Sequence, residues 1–202
     1  MVANYTALKK KIRQDDFTPG GINDRRPDRA VIAYSNLIKK HFKNTKPLVL
    51  GGIEASLRRI AHYDYWVDAV RRSILFDAKA DILVYGMGES TVVELAGRLK
   101  AGEDYRDVKG ICYASTEPKP GFTLLPSYEE CKADKTKFAE MFKMFYCNMD
   151  PVTADGLCQR QDTRYLVQNP PQDNLTEAGL DAVYNLDYER EVHPYYGKRG
   201  EV

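Results

Sequence analysis

Two short apolar runs, Leu48-Val49-Leu50 and Ile82-Leu83-Val84-Tyr85, each end on glycine and lead within a few residues into a glutamate and a helix-like pattern. Repeated strand, glycine turn and helix is the sequence form of a parallel α/β sheet. The turns at the carboxyl ends of parallel strands share one edge of the sheet, where ligands collect. The pattern therefore predicts a partial, doubly wound parallel sheet. Gly51, Gly52 and Glu54 of the first turn should lie near Gly86, Gly88 and Glu89 of the second.

Leu48 to Leu50 is apolar at consecutive positions, as suits a strand covered on both faces, and Gly51-Gly52 lets the backbone turn sharply where it leaves the sheet. Glu54 to Ala61 reads as a short helix. Its first amides suit an anion, and Arg58 or Arg59 adds positive charge. A diglycine after a buried strand is also explained by the turn alone. His62-Tyr63-Asp64-Tyr65-Trp66 crowds aromatics with a histidine and an acid. A catalytic metal needs three converging protein ligands and only His62 and Asp64 are local, so the stretch reads as an aromatic cover for the sheet edge. Val67 to Lys79 is weakly helical, with Arg71-Arg72 as a solvated or ion-paired couple.

After the second strand, Ser90 suits a helix N-cap, Val92, Val93, Leu95, Ala96 and Leu99 form a buried side, and Gly102 stops the helix. Gly86-Met87-Gly88 lacks the third glycine of a dinucleotide fingerprint, which disfavours a nicotinamide cofactor. A third strand, Gly110 to Ala114, closes the α/β part, and prolines 118, 120 and 126 mark a linker. Two regions are thus expected: a partial α/β domain over 1–115 and a helical and extended connector over 116–202.

Upstream, Thr18-Pro19-Gly20-Gly21 reads as loop, and a helix starts near Pro27-Asp28. Ala30, Ala33, Tyr34, Leu37, Ile38, His41 and Phe42 recur on one face of it, with His41 as a packing residue. Downstream, Ser127 and Glu130 form a capping box for a helix running to about Asn148, with Phe138, Met141, Phe142, Phe145, Tyr146 and Met149 as its docking stripe. Arg164 to Gln168 reads as a strand and Thr176 caps a last short helix. Tyr188 to Val202 has no core-forming pattern and ends as though the chain passed on to something else.

The formal net charge of +1, from 30 basic and 29 acidic residues, supplies no strong field for nucleic acid or an anionic membrane. No apolar run approaches the ~20 residues that span a bilayer. The N-terminus, MVANYTALKKKIRQDDF, lacks the apolar core of a signal peptide, so a cytoplasmic address is expected. Cys112, Cys131, Cys147 and Cys158 are separated by 19, 16 and 11 positions. That spacing fits no zinc knuckle, redox pair or iron-sulfur run and reads as isolated reduced thiols, mostly partly buried.

Gly51 through Trp66 (GGIEASLRRIAHYDYW), with Asp77-Ala78-Lys79-Ala80-Asp81 and the strand after it, closely resembles the YgiQ family of radical SAM proteins. Asp16-Phe17-Thr18-Pro19-Gly20-Gly21, Arg26-Pro27-Asp28-Arg29-Ala30, Asn169-Pro170-Pro171 and Arg190-Glu191-Val192-His193-Pro194 match in the same order. The resemblance implies an N-terminal α/β domain followed by a radical SAM barrel, whose CxxxCxxC motif holds a 4Fe-4S cluster that binds and reductively cleaves S-adenosylmethionine. Three cysteinyl ligands leave one iron open for that molecule. No such run occurs in this sequence; in the family it lies shortly after the position of Val202.

The resemblance thus implies a fragment with no catalytic residue, metal ligand or cofactor of its own, whose partner is the barrel of the same parent chain. The family's first strands precede a segment like Asn4-Tyr5-Thr6, so Met1 reads as an internal boundary. The α/β part also looks like the later half of the cobalamin-binding domains of other radical SAM enzymes. Their DxHxxG loop is absent here, and His62 and Asp64 stand in the wrong order for it. The alternative of a different class is a free-standing flavodoxin-like module that binds a small anion at the same glycine edge.

Overall fold

The computed structural model describes residues 27–197. The loop read at Thr18 to Gly21 and the family match at Asp16 to Gly21 lie outside the described residues. Along the chain, α1 (Ala30–His41) precedes β1 (Val49–Leu50) and α2 (Gly52–Leu57). A hairpin of β2 (His62–Asp64) and β3 (Ala69–Arg71) and the one-turn α3 (Ile74–Asp77) lead into β4 (Ile82–Val84), α4 (Glu89–Ala101) and β5 (Ile111–Ser115). Next come β6 (Thr123–Leu125), α5 (Tyr128–Ala133), α6 (Lys135–Tyr146), β7 (Leu157–Gln161), β8 (Arg164–Gln168), α7 (Glu177–Tyr184) and a 3-10 turn at Pro194–Tyr196.

The main sheet has six strands in the order β1-β4-β5-β8-β7-β6. β1 lies parallel to β4, as the repeated strand and glycine turn predict. β5 then runs antiparallel to β4, β8 to β5 and β7 to β8, and β6 on β7 is again parallel. The expected parallel, doubly wound sheet is thereby corrected to a mixed α/β sheet. Tyr105 and Val108 pack back against the sheet after α4, and Tyr85 N donates to Gly110 O at 3.0 Å, so the chain re-enters beside the carboxyl end of β4. A buried apolar run reads the same in either direction. The boundary expected at residue 115 falls inside this sheet, because β6, β7 and β8 complete it.

Alternating side chains build a core on each face. Leu50, Leu83, Cys112, Leu157 and Leu166 face Ala55 of α2, the Ile74-Leu75-Phe76 turn, Cys131 of α5 and Met141 of α6. Ile82, Val84, Ile111, Tyr113, Cys158 and Val167 face Leu95 of α4 and Val108. Both faces are covered, as the consecutive apolar residues of β4 require.

Several expected elements differ in detail. The weakly helical stretch Val67 to Lys79 divides into one arm of the hairpin, β3, and the one-turn helix α3, and the helix expected to run from Ser127 to Asn148 is two helices. Asp134, extended at φ −134°, breaks it and caps α6 by accepting from Thr136 N at 2.7 Å. The Ser127–Glu130 capping box forms as read. The N-cap of α4 is Gly88 rather than Ser90, and the helix buries Thr91 and Leu95 while Val92 and Val93 face out. On α1 the expected core stripe is outward: Tyr34, Leu37, Ile38 and Phe42 are exposed, and so is His41. Ala30, Val31 and Ile32 make the inward contacts, beside the ion pair of Arg29 with Asp64 at the helix start.

Candidate functional site

The parallel pairing of β1 with β4 sets their carboxyl ends side by side, so the two glycine turns meet at one edge as expected. Gly52 (φ +83°) and Gly86 (φ +69°) adopt the left-handed conformation that favours glycine. Gly51 is extended, Gly88 caps α4 and Glu89 is that helix's exposed first residue. Ser56 Oγ accepts from Gly86 N at 3.2 Å and ties the turns together. The helix expected over Glu54 to Ala61 stops at Leu57, and this early end sends Arg58 and Arg59 in different directions.

Arg58 is buried in an ion network. Its Nη1 lies 3.3 Å from Glu54 Oε1, its Nη2 lies 3.4 Å from Asp64 Oδ2, and its Nε donates to His62 Nε2 at 2.7 Å. Asp64 also takes Arg29 Nη1 at 2.5 Å and accepts from the amides of Trp66 and Val67. Burial alone would raise the Asp64 carboxyl. The hydrogen bond and charge of Arg29, the Val67 amide and Arg58 outweigh it and hold the group below its ordinary value. Burial and the Arg58 charge push His62 down to about 4, so the ring is neutral. This cluster fastens α1, α2 and the hairpin together. Glu54 and Arg58, two of the sequence-selected residues, belong to it, and removing one member would strand a buried charge.

Arg59 sits differently. It is 7% exposed, with its guanidinium carbon 4.6 Å from the Tyr85 ring centroid and 4.4 Å from that of Phe145. Its Nε donates to Gln168 Oε1 at 3.0 Å and its Nη1 donates to the Ser56 carbonyl. Among the described residues no carboxylate pairs with it, and burial pulls it below its ordinary value. The Tyr85 phenol and the Cys112 thiol, the two acidic groups that bear on its charge, are held neutral. Burial pushes the Tyr85 phenol up and takes the Cys112 thiol up to about 12. Arg59 is therefore a buried cation without a counter-charge among the described residues.

A cavity of about 380 Å³ opens beside it, lined by Arg59, Ser56, Tyr85, Gly86, Met87 and Gln168 among others. Arg59 and Gly86 of the sequence-selected set reach this cavity; Gly51, Gly52, Gly88 and Glu89 stay at the neighbouring turns without lining it. Sequence reading missed Tyr85 and Gln168. Tyr85 reads as the last residue of an apolar strand, and Gln168 meets Arg59 across 109 positions of chain.

The cysteines do not fit an iron-sulfur cluster. Cys112 and Cys158 lie in cores on opposite faces of the sheet, and Cys131 is on α5. Among the described residues no three histidine, cysteine or acidic side chains converge as a metal site. Nor is any described helix long and apolar enough to cross a membrane.

The Radical SAM N-terminal family model matches residues 1–202. The chain belongs to this family. It is 58% identical over 203 residues to a UPF0313 protein of Fusobacterium nucleatum, covering all of this chain and 36% of that relative's length. A UPF0313 protein of Thermotoga maritima is 53% identical over 206 residues, again across all of this chain and 36% of the relative. One from Methanocella arvoryzae is 49% identical over 201 residues, across 97% of this chain and 33% of the relative. The resemblance to YgiQ-type radical SAM proteins is borne out, and the chain spans about a third of the length of these curated relatives. No solved structure matches.

Proposed function

We propose that this chain serves as the N-terminal domain of a YgiQ-type radical SAM protein, and that the longer parent binds a 4Fe-4S cluster and reductively cleaves S-adenosylmethionine. The observation that carries this reading is the family match over residues 1–202 in a chain spanning only 36% of its Fusobacterium relative. The chain alone is catalytically inactive on this reading, in keeping with cysteines that cannot converge on one cluster. The glycine edge faces the catalytic barrel, and the parent works in the cytoplasm. Supporting an association with further protein, Leu37 on α1 and Phe42 at its C-cap, Ile53 and Leu57 on α2, and Tyr184 and Tyr188 after the sheet are all exposed.

Anaerobic reconstitution with iron and sulfide tests the proposal. The parent should acquire a reducible cluster, seen by electron paramagnetic resonance, and convert S-adenosylmethionine to methionine and deoxyadenosine under dithionite. The 202-residue chain treated identically should do neither. Cleavage by the short chain, or its absence in the cluster-loaded parent, would refute the assignment.

A further inference from the structure

A buried arginine without a counter-charge loses hydration that neutral partners replace only in part, and such a group marks a candidate ligand site where a cavity opens beside it. Arg59 differs in this from the adjacent Arg58, which lies among Glu54, Asp64 and His62. Tyr85 and Phe145 hold the guanidinium between their rings. Two of its five N–H groups are committed, to Gln168 and Ser56, and Nη2 makes no hydrogen bond with the described residues.

We propose that the cavity beside Arg59 is a receptor for a carboxylate-bearing ligand with an apolar body. The free edge of a stacked guanidinium matches a carboxylate in its own plane. Met87, Met149, Leu57 and Pro151 supply the apolar wall that receives the body. Asp173 also lines the cavity, its carboxylate paired with Lys109 at 2.8 Å. One uncompensated cation with an acid nearby favours a single negative charge over a phosphate dianion. The size suits a small organic acid, and an aspartate or glutamate side chain from the remainder of the parent carries the same group. The inference stands on the geometry of Arg59 and does not depend on the radical reaction.

The test follows the side-chain Nε resonance of Arg59 by nuclear magnetic resonance while the chain is titrated with hexanoate, with hexanol as the neutral counterpart and inorganic phosphate as the dianion. Hexanoate should shift the signal saturably with a Kd on the order of 1 mM, and hexanol should not. Arg59→Gln, followed through the backbone amide of Gly86 on the cavity wall because the arginine signal is then absent, should weaken hexanoate by about tenfold or more. Should that variant fail to fold, Met87→Trp, at an exposed wall position, should block the cavity and abolish the shift while leaving the fold intact. In the parent, hexanoate binding supports a free organic acid as the natural ligand. Exclusion of hexanoate by the parent alone supports an acidic side chain of the remainder as the occupant. No saturable hexanoate shift in the folded chain, equal binding of hexanol, or preferential binding of phosphate would overturn the proposal. None of these results bears on whether the parent holds a cluster, so the two proposals fail separately.

Discussion

Arg58 Nε donates to His62 Nε2 at 2.7 Å, and Nδ1 of the same ring lies 3.1 Å from the Ile60 carbonyl oxygen. Since Nε2 must accept, the proton belongs on Nδ1, where it is donated to Ile60 O. A second proton on Nε2 would face the Arg58 guanidinium at hydrogen-bond distance. The geometry thus keeps a neutral imidazole inside a cluster of charges.

This makes stability pH-dependent. The folded pKa of His62, about 4, lies below its ordinary 6.5, so the contribution is fully present above 6.5 and is lost as pH falls toward 4, where the folded ring also protonates. The loss across that window amounts to at most about 3 kcal/mol. Urea unfolding at a series of pH values should show it in the native chain and not in His62→Gln. Parallel pH profiles for the two proteins would exclude the effect.

The buried glutamines of β7 replace backbone pairing for a neighbouring loop. Gln159 Oε1 accepts from Ala61 N at 2.9 Å and from Gln161 Nε2 at 2.9 Å, while its Nε2 donates to Pro126 O at 2.9 Å. Gln159→Leu keeps the volume and strands these groups, which should cost about 2–4 kcal/mol in chemical denaturation. A loss below about 0.5 kcal/mol would show that other partners satisfy them.

The two adjacent glycines should respond differently to a methyl group. Gly52 has φ +83°, whereas Gly51 is extended at φ −153°, and a Cβ at either meets nothing within 4 Å. Gly52→Ala should therefore cost about 1 kcal/mol through backbone strain, and Gly51→Ala should be near neutral or slightly stabilising. Thermal melts of both variants decide this, and equal losses would contradict the assigned conformations.

The outward stripe of α1 can be checked in the same way. Leu37 and Phe42 are 51% and 65% exposed, so Leu37→Ser and Phe42→Ser should each change the stability of this chain by no more than about 0.5 kcal/mol. Were that face part of the core, as the helical spacing alone predicts, each would cost about 2–5 kcal/mol.

The sequence by itself determined the parallel β1–β4 pair, the meeting of its glycine turns, the Ser127 cap, the strand Arg164 to Gln168 and the family. Each of these rests on local chemistry: a positive φ, a hydroxyl three residues before a glutamate, a run of apolar side chains, or a continuous motif. Only the tertiary structure decided that β5 runs antiparallel, that α1 turns its larger apolar face outward, and that Arg58 and Arg59 serve different ends. Strand direction is absent from an apolar run, and α1 is fastened at its start by an ion pair between Arg29 and Asp64, 35 positions apart, which its own periodicity does not contain. Two neighbouring arginines look alike in sequence. Glu54, His62 and Asp64 lie close enough along the chain to claim the first, while the second is defined by Tyr85, Phe145 and Gln168, brought to it only by the assembled sheet and the helix packed on it.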